Sequence, residues 1–246
     1  MKFSVIIPAY NEERLIESTV KSVIANQINI PRKEFEIIVV DNDSIDETKQ
    51  RAIEAGADKI ILEFKKGGNA SRQRGFLGSK GEIIAFLDAD CIASENWLLL
   101  IDERLKNGKF SAVSGACDYN LKGFKKFSSN FWQNFFYPRV PKILYFFFRK
   151  ETGVIINGNW ATKRKVIEKI GGIPEAAFEG DDALIANLIS RRVGPIFFDQ
   201  KLIVKSSDRR FKKEGLFKTA LIYAINYLGV YFKNRPIIVG KQRDTR

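Results

Sequence analysis

The sequence predicts an α/β fold: a doubly wound, mainly parallel sheet with helices on both faces, plus an aromatic-basic insertion and a C-terminal amphipathic helix. Three observations predict it. Short apolar runs alternate with segments of helical period through the first half of the 246 residues. Those runs are continuously apolar, so their strands are buried on both faces. Three of them end in polar clusters, Pro8-Ala9-Tyr10-Asn11, Asp41-Asn42-Asp43-Ser44 and Asp88-Ala89-Asp90. In doubly wound sheets ligands bind beyond the carboxyl ends of the strands, so that edge is the expected site.

Each element follows from its residues. Phe3 to Pro8 is a β-branched run and reads as a strand. From Glu13 to Asn26 the apolar residues Leu15, Ile16, Val20, Val23 and Ile24 recur at helical spacing. Phe35 to Val40 is a second strand ending in Asp41. Ser44 with Glu47 forms a capping-box pattern, predicting a helix to Ala55 that Gly56 closes. Lys59 to Leu62 is a strand, residues from about Asn69 to Ser79 a helix, and Ile83 to Leu87 a strand. There is no internal repeat, low-complexity tract or Pro/Gly/Ser-rich linker, so one compact unit is expected.

Composition excludes whole classes of chemistry. With 45% apolar residues the chain buries an ample core and is not disordered. Two cysteines, Cys91 and Cys117, are too few for a disulfide scaffold. The absence of histidine removes imidazole acid/base catalysis, Ser-His-Asp triads, Cys-His nucleophiles and imidazole zinc sites. Carboxylates, Lys, Arg, Tyr or a metal remain. Met1 to Pro8 is too short for a signal-peptide core. The longest uncharged apolar stretch, Thr219 to Phe232, has 14 residues including Asn226, below the about 20 that a membrane span needs.

The net charge of +12 is uneven. Residues 201 to 246 carry twelve Lys/Arg against Asp208, Glu214 and Asp244, a net of +9, and residues 122 to 150 carry seven and no acid. The remainder is mildly acidic. The 122–150 segment is also dense in aromatics. Rings interleaved with cations suit an anionic membrane surface, simple core packing with solvated charges, or single-stranded nucleic acid. Membrane ranks first and nucleic acid last, because no nucleic-acid-binding motif accompanies the patch. Leu216 to Phe232 is a second amphipathic candidate of the same kind.

Four constellations carry candidate chemistry. Asp88-Ala89-Asp90 places two carboxylates after a buried strand, suiting Mg2+ or Mn2+ on a diphosphate, or else a turn that caps the next helix. Gly67 to Gly75 is a Gly-rich turn into a helix bearing Arg72 and Arg74; it suits phosphate, with a plain turn as the alternative. Asp41 suits a ribose hydroxyl or base N–H, or serves as a cap. Glu179, Asp181 and Asp182 precede an apolar helix, as dipole partners or as a general base.

Together, Ser4 to Glu13, Val39 to Asp46, Asn69 to Gly75, Phe86 to Asp90 and Gly180 to Leu184 resemble, in order and spacing, the motifs of the GT-A inverting glycosyltransferases of family 2. The resemblance covers roughly residues 3 to 210, and Asn157 to Ala161 is similar to that family's acceptor-side segment. It implies a nucleotide-binding half (1–92), an acceptor and catalytic half (93–212) and a basic amphipathic C-terminal helix and tail (213–246). Pro8, Ala9, Tyr10, Glu12 and Asp41 would line the nucleoside pocket and Arg72 would face the base or diphosphate. Asp88 and Ala89 would lie at the ribose, with Asp88 and Asp90 holding a divalent metal. Asp182 would be the base, Asp181 standing where the family usually has Glu, with an assignment one residue off left open. Gly158, Asn159 and Trp160 would flank the acceptor. A downstream His found in many members is missing, and Ser206-Ser207-Asp208-Arg209-Arg210 stands there instead. Arg209 or Arg210 would bind phosphate in its place, or form a solvated basic turn.

The implied activity is inverting transfer of a sugar from a nucleotide diphosphate sugar to a hydroxyl on a lipid-linked glycan or other membrane-associated acceptor. The expected setting is the cytoplasmic face of a membrane, with no nucleic acid. The alternatives are a polyprenyl-phosphate sugar transferase, a sugar-phosphate nucleotidyltransferase and a basic lipid- or nucleic-acid-binding protein.

Overall fold

The computed structural model describes residues 1–119, 121, 123–175, 178 and 180–238, with backbone alone at 124, 125, 127, 210, 211, 214, 216 and 217. Glu179, the side chain of Arg210 and the tail from 239 therefore lie outside the described residues.

Four strands build the first half: β1 (Phe3–Ala9), β2 (Phe35–Asp41), β3 (Lys59–Leu62) and β4 (Ile83–Leu87). They pair in parallel in the order β3-β2-β1-β4. Between them run α1 (Ile16–Ile24), α2 (Thr48–Glu54) and α3 (Gly68–Gly78). The odd residues of β1, Phe3, Val5 and Ile7, pack into one apolar cluster with α1, and Ile6 packs into a second cluster on the other face. Burial on both faces is the physical reason these strands read as unbroken apolar runs.

The sheet continues through β7 (Asn159–Lys163), β6 (Ala112–Asp118), β8 (Ile196–Ser206) and β5 (Cys91–Ala93). Here β7 runs antiparallel to both neighbours, while β6 and β8 are parallel. Helices α4 (Trp97–Lys106), α7 (Arg164–Ile170) and α8 (Asp182–Arg192) flank this half. The aromatic-basic insertion forms α5 (Gly123–Phe131), a π-helical segment (Trp132–Phe136) and α6 (Val140–Phe148). The chain ends in α9 (Arg209–Glu214) and α10 (Leu216–Lys233). Helix α10 packs on α8: Asn187 Nδ2 donates to the Val230 carbonyl (3.1 Å) and Arg191 Nη2 to that of Tyr231 (2.7 Å). No helix among the described residues is long and apolar enough to cross a membrane.

One local expectation fails. The capping box of Ser44 and Glu47 does not form, and α2 starts at Thr48. Asp46 Oδ1 accepts the Thr48 N–H (3.0 Å), while Ser44 Oγ accepts the N–H of Asn11 (3.0 Å). A carboxylate outcompetes a hydroxyl for a helix-start donor, which frees Ser44 to tie two loops together. Gly56 closes the helix as expected, at φ 97°.

Candidate active site

Parallel pairing puts the ends of β1, β2 and β4 on one edge. The loops there are laced to one another. Asn11 adopts φ 52°, a left-handed conformation that Asn tolerates, and its Oδ1 accepts the Ile45 N–H (3.0 Å). Asn42 holds the loop ahead of α3, donating to the carbonyls of Glu63 (2.7 Å) and Lys65 (2.9 Å) and accepting from Gly67 N–H (2.9 Å). Asp41 is buried and accepts the Ser44 N–H (3.1 Å). Lys66 lies 4.2 Å over the Tyr10 ring. Pro8 and Ala9 are buried, and the Ala9 carbonyl accepts from Asn42 N–H (2.8 Å), so their part is to place backbone.

A hydrogen-bonded chain crosses the site. Arg72, from α3, donates Nη2 to Asp88 and Nη1 to Asn69 Oδ1 (3.2 Å). Asn69 Nδ2 donates to Asp181 Oδ2 (2.9 Å), and Asn157 Nδ2 donates to Asp181 Oδ1 (2.8 Å). Asp181, 6% exposed, thus joins the head of α8 to the end of β4. Burial pushes its carboxyl up to about 6, against the pull of Arg72 and Asn157 and with help from Asp88. Two buried atoms beside this chain, Arg72 Nε and Asn157 Oδ1, have no hydrogen-bond partner. Buried polar groups of that kind fit a polar ligand.

Asp182 begins α8, half-buried, its Oδ1 accepting the N–H of Ala183 (2.9 Å). Two tyrosines feel its charge. Burial and Asp182 together push Tyr137 up to about 12, and burial followed by the charges of Tyr231 and Asp182 raises Tyr227. The two catalytic candidates therefore have different surroundings: Asp181 is held by the amides of Asn69 and Asn157, whereas Asp182 accepts the Ala183 N–H in the first turn of α8.

At the other side, Arg209 Nη2 lies 3.4 Å from Asp90 Oδ2 and 2.8 Å from each carboxylate oxygen of Glu12. Asp88 and Asp90 are partly reached by solvent, and both offer the hard oxygen donors that Mg2+ or Mn2+ takes. No cluster of three or more metal-ligating side chains exists among the described residues; the two carboxylates leave coordination places that oxygens of a bound diphosphate would fill. The donor set fits such a shared ion.

Three expectations are corrected. Asn159 and Trp160 do not face an acceptor; both have no exposed surface. Asn159 accepts from Trp97 Nε1 (2.9 Å) and donates to the carbonyls of Ala116 (2.9 Å) and Leu202 (2.7 Å), tying three strands and α4 together. Trp160 stacks on Phe86 with centroids 4.4 Å apart. β7 lies inside the sheet, so alternate residues point into one core or the other. Ala89 also packs into the core, its carbonyl accepting from Thr19 Oγ1 (2.7 Å). Gly158 remains at the site but beside Asp88: a Cβ there would meet Asp88 Oδ2 at 3.0 Å. Asn42, Asn157, Tyr137 and Tyr227 were not singled out as site residues in the sequence. Asn42 and Asn157 lie inside motifs of the sequence, whereas nothing local marks the tyrosines.

The sequence model of glycosyl transferase family 2 matches residues 4–171. Glycosyltransferase AglE of Haloferax volcanii is 38% identical over 100 residues, 39% of this chain and 32% of that protein. The Escherichia coli UDP-Glc:alpha-D-GlcNAc-diphosphoundecaprenol beta-1,3-glucosyltransferase WfgD is 34% identical over 108 residues, 42% of this chain and 41% of that one. The chain thus aligns with less than half the length of either relative. Mannosyltransferase PcManGT from Pyrobaculum calidifontis, solved with GDP-Man and Mn2+, shares the fold at a TM-score of 0.69 and 21% identity, covering 95% of this chain and 63% of that one. The match covers about two thirds of the sequence and includes the Asp-x-Asp strand end, and the chain belongs to glycosyl transferase family 2.

Proposed function

We propose that the protein transfers a sugar from a nucleoside diphosphate sugar to an acceptor hydroxyl in a single displacement that inverts the anomeric carbon. The observation that carries this reading is the chain Asp181–Asn69–Arg72–Asp88, which couples the acidic head of α8 to the carboxylates at the end of β4. The loops after β1 and β2 form the nucleoside side. Arg72, bonded to Asp88, and Arg209, beside Asp90, would present guanidinium groups to the diphosphate. Asp88 and Asp90 would hold a divalent metal, which when bound offsets the charge that grows on the leaving diphosphate.

Asp182 takes the acceptor proton as the hydroxyl oxygen forms its bond to the anomeric carbon and the bond to the diphosphate oxygen breaks. Asp181, gripped by two amides, positions the donor side. A free phosphate acceptor is already a nucleophile and needs no base, so the acidic pair supports a hydroxyl. WfgD acts, by its name, on a sugar carried by diphosphoundecaprenol. That supports a lipid-linked glycan as acceptor here, and with it work at a membrane surface.

Calorimetry with UDP, GDP, CDP and dTDP, each with and without Mn2+, tests the donor side. One nucleotide should bind with Mn2+ to the wild type and lose that metal-dependent gain in Asp90→Asn. If none binds, the transfer reading fails.

A further inference from the structure

Helices α6 and α10 leave an apolar face uncovered. On α6, Phe146 and Phe147 are 68% and 69% exposed, far beyond what a packed ring shows. Phe148 joins them to α10, its ring 4.9 Å from that of Phe232, while Tyr231 Oη, buried between the helices, donates to the carbonyls of Leu144 (3.3 Å) and Lys150 (3.1 Å). The two helices therefore form one surface. On α10, Leu221, Leu228 and Phe232 are exposed and recur at i, i+7 and i+11, a single stripe. Thr219, Asn226 and Val230, half a turn away, are buried. One side of α10 thus serves the core and the other is equally apolar but open.

The charges around that face choose its occupant. Arg139, Lys142, Arg149 and Lys150 on or beside α6 are exposed, as are Lys218 and Lys233 of α10, with Glu151 the acid next to Lys150. A second copy of the chain would bring two cationic faces together, which repel. Single-stranded nucleic acid would need rings spaced to receive bases, whereas here three consecutive phenylalanines pack on one another, with centroids 5.2 Å apart at Phe146–Phe147. Rings with cations at their border match the boundary of an anionic bilayer, where rings sit at headgroup depth.

We infer that α6 and α10 form a docking face for an anionic lipid bilayer, inserting Phe146, Phe147 and the Leu228/Phe232 stripe between headgroups. Phe178, Ala183 and Val230 form one cluster, so the same helix that docks also packs against the head of α8 beside Asp182. Docking would then hold the acceptor side against the lipid; this last step alone rests on the transfer reading above.

The test is co-sedimentation of the full chain with vesicles of phosphatidylcholine alone and of phosphatidylcholine mixed with phosphatidylglycerol. The mixed vesicles should bind it and the neutral ones bind it weakly. Phe146→Ser/Phe147→Ser should weaken binding roughly tenfold or more with an unchanged melting temperature, since neither ring is buried. Lys142→Gln/Lys150→Gln should weaken it by roughly fivefold per charge. As a check on insertion, Phe147→Trp should be quenched by brominated lipid. Absence of binding to mixed vesicles, or equal binding by the Phe146→Ser/Phe147→Ser variant, overturns the inference. So does a vesicle-free dimer, or single-stranded RNA binding, that this variant abolishes while vesicle binding persists. Nucleotide calorimetry is indifferent to all of these outcomes, so failure here is separable from failure of the transfer reading.

Discussion

Arg209 donates Nη2 to both carboxylate oxygens of Glu12, 2.8 Å from each, across 197 residues of sequence. Glu12 is 3% exposed, so this cation offsets a carboxylate that solvent barely reaches. Arg209→Ala should lower stability by about 1–3 kcal/mol in thermal or urea melts. It should also weaken nucleoside diphosphate binding roughly tenfold. Arg209→Ala/Glu12→Gln should recover much of the stability and none of the affinity. Recovery of both would make Arg209 a purely structural partner.

Gly158 leaves room for Asp88. Its missing Cβ would stand 3.0 Å from Asp88 Oδ2, the carboxylate that receives Arg72. Gly158→Ala should push Asp88 aside and weaken metal-dependent nucleotide binding by roughly tenfold, with a melting point close to wild type. Calorimetry beside a thermal melt separates the two; a lowered melting point with normal affinity would contradict the placement.

The buried carboxyl of Asp181 makes stability depend on pH. Its folded value, about 6, lies above the ordinary 3.8, so the folded state holds this proton more tightly than the unfolded chain does. The linked stability is present in full below the unfolded value and declines as pH rises from about 4 through about 6, by roughly 3 kcal/mol at most. Urea melts across that range should show the decline in wild type, and Asp181→Asn should flatten it. Parallel curves would mean that Asp181 is ionised in the fold without penalty.

The two acids at the head of α8 should separate kinetically. Asp182→Asn is expected to lower kcat by roughly 100-fold or more while nucleotide affinity is kept, as befits a base on the acceptor side. Asp181→Asn should weaken donor binding, through Asn69 and Arg72. Single-turnover rates with measured nucleotide affinities decide between them, and an inactive Asp181→Asn with normal affinity would reverse the roles.

Asn159 should act on the fold alone. Its amide makes three buried hydrogen bonds, to Trp97 Nε1 and to the carbonyls of Ala116 and Leu202. Asn159→Ala should cost about 3 kcal/mol or more, leaving those groups unpaired in the core. At low temperature the folded fraction should keep its nucleotide affinity.

The sequence by itself determined the alternation of strands and helices and the edge on which the polar strand ends gather, and it offered Asp88, Asp90, Asp181 and Asp182 as candidate acids there. Those features are local: apolar runs, the period of side chains and carboxylates at strand ends follow from neighbouring residues. Only the tertiary structure decided partners. Arg209 meets Glu12 because β8 returns the chain to the edge where β1 ends, and Asp181 meets Asn69 because α8 begins opposite α3. Asn159 and Trp160 read as acceptor residues in the chain and are core residues in the fold. Whether a polar side chain faces a ligand or a buried carbonyl depends on which strands close over it, and sheet order is set by packing between segments a hundred residues apart. For the same reason Tyr227 donates to the Gly153 carbonyl only once α10 has folded back onto α8.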